Sequence, residues 1–194
     1  MPARRAHPVN LDSLAHTTLT QILRPGMLAV DATAGNGHDT AFLASLLGPS
    51  GHVWAMDVQR AALEATRARL SALAHAAPVT LIHAGHETLN AHLPAALRPH
   101  AAMFNLGYLP GSDKRIATTA ATTLAALDAL LPRMAPGGVL SLHVYTGHPG
   151  GAEELDALLP WACGLSYPEW SLFHTNTANR TLRPEHLLLI QRHI

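Results

Sequence analysis

Apolar positions follow two different periods along the chain. Short, nearly continuous apolar runs such as "MLAVDA" and "AAMFNL" predict buried strands. Between these runs, apolar residues recur every three or four positions, as at Leu11, Ala15 and Leu19, and this spacing predicts one buried helix face. Asn10 is placed to cap the first helix, and Pro25 with Gly26 ends it. The chain therefore alternates between predicted strands and predicted helices.

The pattern assigns bounds to each element. Strands are predicted over residues 27–32, 52–58, 79–83, 101–106 and 139–146, and two more over 165–176 and 185–193. Helices are predicted after the first helix over 38–47, 59–74, 87–93, 116–134 and 152–161.

Five alternations closed by an apparent hairpin predict an α/β fold. Buried, continuously apolar strands indicate a mostly parallel sheet with helices on both faces. A C-terminal antiparallel hairpin on a seven-stranded sheet is typical of the Rossmann-like class I methyltransferase fold, whereas a dinucleotide-binding domain would continue with parallel strands. We expect a single domain over residues 1–194, in which residues 1–25 form an N-terminal extension and helix.

Composition limits the partners. The 194 residues include 13 Lys and Arg and 13 Asp and Glu, so the formal net charge is zero. A bulk electrostatic attraction to nucleic acid is excluded, and any RNA contact requires a local patch. The single cysteine, Cys163, excludes an internal disulfide and a cysteine-based zinc site. With no apolar run of membrane-span length and no signal-like start, we expect a cytoplasmic protein without membrane contact.

The stretch "VDATAGNGHDT" follows the first strand and contains Gly35 and Gly37. In an open α/β sheet, ligands bind where a strand turns into its helix, and glycine allows both a tight turn and close approach of a ligand. A dinucleotide fingerprint would need a third glycine at position 40, where this chain has Thr40. A pyrophosphate ligand is therefore disfavoured, and with it a nicotinamide-dependent oxidoreductase.

Two acids beside this stretch indicate a different nucleotide ligand. Asp31 ends the first strand and is placed to bind a cationic group, while Asp57 ends the second strand and can accept both ribose hydroxyls. A ribose with a charged amino-acid tail matches S-adenosylmethionine. A structural alternative stays open, in which Asp39 and Asp57 only cap the helices that follow them.

The stretch "NLGYLPGSDK" follows the fourth strand. Enzymes that methylate amino nitrogens often carry Asn/Asp-Pro-Pro-Tyr/Phe there, and Asn105 and Tyr108 match its ends. Carbonyl acceptors at this position can orient an amine, and Tyr108 can stack on a base. The alternative is a plain turn. Since an ammonium has no lone pair, a base is also needed, and we favour Asp113 over Tyr145 and His148.

The sequence offers weaker support for a functional role of several other residues. His83 and His86 suggest zinc, but no further ligand completes a set, and His143 is expected to be a satisfied core residue. Gly147, Gly150 and Gly151 suggest either a loop close to a ligand phosphate or an ordinary strand-to-helix turn. Four cations in predicted loops could contact tRNA phosphates or be solvated surface: Lys114, Arg115, Arg180 and Arg183.

Taken in order, "DATAGNGHDT", "HETL", "FNLGYLPGSDK" and "VYTGHPGG" resemble a family of small bacterial S-adenosylmethionine-dependent methyltransferases, also labelled rRNA methylases. Members of the MnmM/YtqB type are tRNA 5-(aminomethyl)uridine methyltransferases. The resemblance spans residues 11–190. The family typically has Cys at the position of Ala34.

The resemblance implies conversion of 5-aminomethyluridine to 5-methylaminomethyluridine at the tRNA wobble position. An rRNA substrate, a small-molecule amine and a non-catalytic nucleotide sensor stay open as alternatives, as does a homodimer. The implied cofactor-binding residues are Asp31, Ala34, Gly35, Asn36, Gly37, His38, Asp39, Thr40, Asp57, Gln59, His86, Glu87, Asn105, Leu106 and Gly107. The resemblance also implies that Asn105 and Tyr108, with Leu109 beside them, lie between cofactor and amine, and Asp113, favoured above as the base, completes the predicted catalytic residues.

Overall fold

A computed structural model describes residues 10–109, 111, 115–180, 182 and 184–193. The strands are β1 (Leu28–Asp31), β2 (His52–Asp57), β3 (Val79–His83), β4 (Ala101–Leu106), β5 (Val139–Tyr145), β6 (Trp170–Asn176) and β7 (Glu185–Arg192). The helices are α1 (Leu11–Ile22), α2 (His38–Leu47), α3 (Arg60–Leu70), α4 (Leu89–His92), α5 (Ala120–Leu130) and α6 (Gly151–Cys163).

The strands form one seven-stranded sheet in the order β3-β2-β1-β4-β5-β7-β6. The pairs among β1 to β5 are parallel, while β7 is antiparallel to both β5 and β6. This confirms the predicted parallel sheet with its C-terminal antiparallel hairpin. The order in which successive strands are added to the sheet reverses between β1 and β4, and a crevice opens there at the carboxyl ends of the strands.

Alternate residues of the strands face two layers of helices. On one face, Ala29, Met103 and Leu187 pack with α1 and α2. On the other face, Phe104 and Leu188 pack with α4, α5 and α6. Because side chains alternate along a strand, every second residue from Met103 onward points toward the α1 layer.

Helix α1 begins as the sequence predicts. The Asn10 side chain accepts a hydrogen bond from the Ser13 backbone N–H at 2.7 Å, and Ser13 Oγ accepts from the Asn10 N–H at 3.0 Å. This reciprocal pair is a capping box. Leu11, Ala15 and Leu19 are buried, so α1 covers the sheet as part of the same core.

Three helices are shorter than predicted. The helix predicted over 87–93 is a 3-10 turn over His86–Thr88 followed by α4, Leu89–His92. The helix predicted over 59–74 ends at Leu70. The helix predicted over 116–134 begins only at Ala120, because Thr119 caps it by accepting from the Thr122 N–H. Its predicted end is a separate 3-10 turn over Leu131–Arg133, with a proline at its start. In the part of the chain that the structure describes, no helix has the length and apolar character of a membrane span.

Candidate active site

A cavity of about 1110 Å³ opens at the carboxyl ends of the parallel strands. Segments that follow β1, β2, β3, β4 and β5 all line it, and α1 and the start of β7 close one side. The predicted site residues that line it are Ala34, Gly35, Asn36, His38, Asp39, Asp57, Gln59, His86, Glu87, Asn105, Gly107, Tyr108 and Leu109.

The loop after β1 folds over the end of β2. The Ala34 N–H donates to the Met56 carbonyl at 2.8 Å, and the Gly35 N–H donates to Asp57 Oδ2 at 2.9 Å. Asp57 Oδ1 accepts from the Gln59 N–H at 2.8 Å. The carboxylate thus fixes the loop and the start of α3, and it retains lone pairs for hydroxyl donors in the cavity. Asp57 does not cap α3 itself, since it accepts from the N-cap residue Gln59 and no side chain bonds to the first amides of the helix.

Two side chains of α3 hold this loop from outside. Arg69 Nε donates to the Asn36 carbonyl at 2.8 Å, and its Nη2 lies 3.0 Å from His38 Nε2. Thr66 Oγ1 donates to the Gly35 carbonyl at 3.1 Å. With the backbone amides also paired, the loop has a defined shape before any ligand arrives. The role of Arg69 was not predicted, because its partners Asn36 and His38 lie far from it in the sequence.

Gly37 serves the packing of two helices. Its φ is +77°, and a Cβ at this position would lie 2.7 Å from the Thr66 Cα. Gly37 does not line the cavity. The position requires glycine because α3 passes directly against it, and the expected approach of a ligand to Gly37 stays a prediction.

Asp31, the residue expected to contact a cationic group, lies in the protein interior. Asp31 is fully buried and does not line the cavity. Its carboxyl group accepts from Thr40 Oγ1 at 2.5 Å and from the Thr33 N–H at 3.2 Å. Burial, with a smaller contribution from the charge of Asp39, raises the pKa of Asp31 to about 7. Thr40 is likewise buried as the partner of Asp31, and Leu106 is buried in the core. All three are fully buried in this structure, and their roles toward the cofactor stay predictions.

Asn105, at the end of β4, is held on two sides. Its backbone N–H donates to Thr33 Oγ1 at 2.7 Å, and its Nδ2 donates to Asp39 Oδ2 at 2.5 Å. Asp39 Oδ1 lies 2.6 Å from His16 Nε2, and the His16 ring stacks on Phe42 at 3.8 Å between centroids. Because a carboxylate only accepts, the amide nitrogen faces Asp39 and the amide oxygen remains an acceptor for another group.

Asp39 does not act as a helix cap. The residue at the start of α2 is Gly37, and no side chain bonds to the open amides there. The side chain of Asp39 is only 11% exposed and joins α1, through His16, to the end of β4. The contacts of Asp39 with His16 and Asn105 therefore exclude the helix-capping role that the sequence left open.

A second group of polar side chains lies beside Asn105 on the same face of the sheet. Asn105 pairs with His143 in the parallel register of β4 and β5, and Tyr145 pairs with Glu185 across β5 and β7. His143 Nδ1 lies 2.6 Å from Asp12 Oδ1, and the Tyr145 hydroxyl lies 3.1 Å from the same nitrogen. His143 is buried, as expected, and it bonds to Asp12 and Tyr145, which line the cavity.

Ionisation in this group follows from its contacts. The hydrogen bond from His143 lowers the pKa of Asp12 below its usual value, against the opposing effect of partial burial. Burial raises the pKa of Tyr145, and the nearby charge of Asp12 adds to that effect. Asp12 is therefore a carboxylate and Tyr145 a neutral phenol at physiological pH.

The loop after β4 is tied to α5 and α6. Tyr108 forms an isolated bridge with Ala117, and the Thr118 N–H donates to the Gly107 carbonyl at 2.9 Å. Thr118 Oγ1 donates to the carboxylate of Glu154 at 2.8 Å, and Thr123 Oγ1 donates to it at 2.6 Å. The Tyr108 side chain is thus placed at the cavity mouth by a structured return of the loop.

His86 follows β3 and lines the cavity on the side opposite Asn105. It is buried, its ring centroid lies 5.6 Å from that of Phe104, and burial lowers its pKa. Its Nε2 is buried without a hydrogen-bond partner within the described residues. A buried polar atom without a partner in a cavity wall is suited to a ligand that supplies one. Val58, half exposed, lines the cavity nearby.

Some of the remaining candidate residues line the cavity and others do not. Gly147 and His148 line the cavity, whereas Gly150 caps α6 with φ +88° and, like Gly151, does not line it. Arg115 and Arg180 line the cavity, and Arg180 pairs with Glu185. Asp113, Lys114 and Arg183 lie outside the described residues. Across the described part of the chain, no group of three or more His, Cys, Asp or Glu could hold a metal ion.

The contribution of α1 was not predicted. Asp12 and His16 are one turn apart, so both project from the same side of the helix, next to its apolar face. That spacing is the available sequence signal. It does not identify the partners, which lie 131 and 23 residues away along the chain.

Comparison with known proteins agrees with this geometry. Residues 53–191 match the family model described as "Putative rRNA methylase". The chain belongs to this family. It is also 36% identical over 187 residues to the chloroplastic tRNA (mnm(5)s(2)U34)-methyltransferase of Arabidopsis thaliana, a match that covers 92% of this chain and 68% of the relative.

Solved structures of family members have the same fold. An rRNA methylase structure from Clostridium thermocellum, titled "putative", superposes with a TM-score of 0.90 at 34% identity over 96% of this chain and all of the other. A "putative methyltransferase" from Streptococcus mutans in complex with SAH gives 0.84 at 35% identity, covering 96% and 99% of the two chains. The predicted family resemblance and class I methyltransferase fold are confirmed. The protein is an S-adenosylmethionine-dependent methyltransferase.

Proposed function

We propose that this methyltransferase transfers a methyl group to the amino nitrogen of 5-aminomethyluridine at the tRNA wobble position, giving 5-methylaminomethyluridine. The observation that carries the proposal is the fixed orientation of Asn105, whose amide nitrogen is held by Asp39. An acceptor held at the end of β4, beside the cofactor loop, suits an N–H donor. The name of the plant relative, a methyltransferase of mnm(5)s(2)U34 in tRNA, supports the same choice.

The cavity suits S-adenosylmethionine on chemical grounds. The Asp57 carboxylate can accept ribose hydroxyls, and the buried Nε2 of His86 can pair with a polar atom of adenine. Asn36 and Gly35 line the stretch between these groups and Asn105. When bound, the cofactor supplies an electrophilic methyl group on a sulfonium. The chain's own residues position the nucleophile and exclude water.

Asn105 performs the positioning. Its amide oxygen accepts one N–H of the amine, so that the nitrogen lone pair points away from Asn105 and toward the reacting carbon. Correct orientation of a nucleophile is worth several orders of magnitude in effective concentration. Tyr108 lies at the cavity mouth with its ring 5.8 Å from His148, where a base can stack on it.

Recognition of RNA must be local, because the chain has no net positive charge. Arg115 and Arg180 stand at the cavity and can meet phosphates beside the target nucleotide. The family description also names rRNA, so an rRNA nucleotide is the second candidate substrate. Both candidates use the same cofactor residues and differ in the surface around the cavity.

The test supplies S-adenosylmethionine to the purified protein with three RNAs: tRNA bearing 5-aminomethyluridine, the same tRNA unmodified, and rRNA. Nucleoside mass spectrometry then reads the products. A gain of one methyl on the aminomethyl nucleoside alone is expected. Methylation of rRNA alone would replace the proposed substrate by the second candidate. An absence of product in all three, with the cofactor bound, would contradict both.

A further inference from the structure

Three carboxylates stand near Asn105, and their contacts differ. Asp39 engages one oxygen with His16 and the other with Asn105, and its side chain is nearly buried. Glu185 pairs with Arg180. All three line the cavity, and the side chain of Asp12, which is 52% exposed, is the most accessible of them to a ligand.

Asp12 is nevertheless held in place. It lies in the first turn of α1, and Oδ1 meets His143 Nδ1 at 2.6 Å. The His143 side chain is 4% exposed and cannot turn away, and the Tyr145 hydroxyl stands beside the same contact. An accessible carboxylate oriented by a buried imidazole has the arrangement of a base with its orienting partner.

We propose that Asp12 is the general base that removes a proton from the substrate ammonium, an assignment that rests on the proposed function. The ammonium N–H bond breaks, its proton passes to a carboxylate oxygen of Asp12, and the electron pair stays on nitrogen. That pair forms the new bond to the methyl carbon as the sulfonium–methyl bond breaks. The product is a secondary ammonium, and Asp12 returns its proton to water when the product leaves.

Docking of the RNA favours this transfer. An exposed carboxylate is a weak base toward an alkylammonium, whose pKa is about 10 by analogy with lysine. Covering Asp12 removes water from the carboxylate and the ammonium together. Desolvation disfavours both charged forms, which raises the pKa of the acid and lowers that of the amine. The neutral pair that results is the reactive one.

Charged and titratable groups face Asp12 from every element around it. They are His16 on α1, Asp39 on α2, His143 and Tyr145 on β5, and Glu185 on β7 with its partner Arg180. The imidazoles of His143 and His16 lower the pKa of Asp12 and so oppose proton uptake, partial burial favours it, and Asp39 and Glu185 act on the neighbouring Tyr145. The pH dependence is therefore a property of this group, and it is assigned by removing one member at a time.

The experiment compares wild type with Asp12→Asn, Asp113→Asn and Asp128→Asn in single turnovers on an aminomethyluridine RNA, from pH 6 to pH 9.5. Asp113 is the competing base, and Asp128 is a matched acid on α5 that bonds to Trp161 outside the cavity. D12N is expected to lose about 100-fold at pH 7, a typical contribution of a general base. Its rate then rises about tenfold per pH unit, because deprotonated amine becomes available from solution.

Three results decide the assignment. A D12N profile parallel to wild type, or a loss below about threefold at pH 7, overturns it. Recovery at high pH in D113N but not in D12N assigns the base to Asp113 instead. If wild type forms no product on aminomethyluridine RNA, the proposed substrate fails and the Asp12 assignment falls with it.

A second variant and a binding measurement distinguish loss of the base from misfolding of D12N. Tyr145→Phe keeps the ring and removes the hydroxyl next to Asp12, and it is expected to shift the acid limb of the profile with a smaller loss of rate. With S-adenosylhomocysteine present, wild type is expected to bind aminomethyluridine RNA more tightly than unmodified RNA, and D12N is expected to lose that preference. An unchanged preference in D12N contradicts a contact between Asp12 and the amine.

Discussion

The cofactor half and the amine half of the cavity are built in different ways. In the first, backbone amides do most of the work: Ala34 and Gly35 bond to the end of β2, and Asp57 bonds to two N–H groups. In the second, side chains bond to side chains, as in Asn105 with Asp39 and His143 with Asp12. A contiguous loop creates the first half, whereas α1, α2, β4 and β5 must come together to create the second.

The difference predicts separable defects. Changes to side chains of the amine half should reduce turnover and leave cofactor binding intact, because the bond from Asn105 to Thr33 in the loop after β1 is made by the backbone N–H and survives them. Changes in the cofactor half should do the reverse. Asp39 is the exception, since it lines the cavity on α2 next to the cofactor loop while bonding to Asn105.

The largest expected effect is that of Asn105→Ala. Loss of the amide removes the acceptor that orients the amine, and we expect turnover to fall by at least about 100-fold, with cofactor affinity unchanged. Rates from single turnovers and calorimetric titration with S-adenosylhomocysteine measure the two quantities. Asn90→Ala, at an exposed position that bonds to Arg133, is the matched control. Activity that survives N105A would sink the positioning role.

Asp57→Ala tests the other half. The change removes a charged acceptor for the ribose and leaves the Gly35 N–H without its partner, so cofactor affinity should weaken by about 10- to 100-fold. Affinity for the RNA should stay within about twofold, because Asp57 lies on the far side of the cavity from β7. Asp156→Ala, an exposed acid on α6, controls for the lost charge. Equal weakening of cofactor and RNA binding would show that the two halves are not separable.

The two glycines of the loop should respond differently. Gly37→Ala places a Cβ 2.7 Å from the Thr66 Cα at a positive φ, and we expect it to lower the free energy of unfolding by about 2 kcal/mol or more. At Gly35 a Cβ meets the end of the Leu109 side chain at 3.4 Å, so Gly35→Ala should cost about 1 kcal/mol. Its main effect should be on cofactor affinity, because Gly35 lines the cavity.

Urea denaturation and cofactor titration of both variants check this pair. If G37A weakens cofactor binding and keeps full stability, then Gly37 approaches the ligand after all.

A pH-dependent effect on stability is expected from Asp31. Its pKa of about 7 lies above the value of about 4 in the unfolded chain, so between these pH values the folded state holds the extra proton. The free energy of unfolding therefore falls as pH rises through this window, by at most about 1.4 kcal/mol per pH unit from this group. Asp31→Asn removes that dependence. Its stability relative to wild type should rise from pH 4 to pH 7 and then level off, and a constant difference would contradict the raised pKa.

Local patterns were sufficient for most of the fold. The bounds of α2, β3 and β4 match the predictions to the residue, because each is delimited by its own apolar run and by glycine or proline nearby. The start of α5 was missed, since helix-forming residues continue upstream of Thr119 while the backbone of Thr118 pairs instead with Gly107. A tertiary contact overrides a local preference there.

In the site, too, the parts formed by a local sequence were predicted and the parts formed by tertiary contacts were not. The cofactor loop has a short, recognisable sequence, and the residues predicted from it largely line the cavity. Asp31 and Thr40 belong to that sequence and yet bond to each other in the core, because a motif does not show which way each side chain points. Asp12 and His16 were missed, as their roles exist only once α1 lies across β5 and β7.

The position of β7 has a consequence for the newly made protein. Strand β7 lies between β5 and β6, so within the described sheet β6 has no neighbour until β7 is in place. A chain emerging from the ribosome exposes β6 first and must wait for residues 185–192 before the sheet can close. Helix α1 packs partly on Leu187 and Leu189 of the same strand. Among the described elements, α1 comes first and β7 last, and they complete the amine wall together, so we expect the proposed amine site to form only after residues 185–192 have joined the sheet.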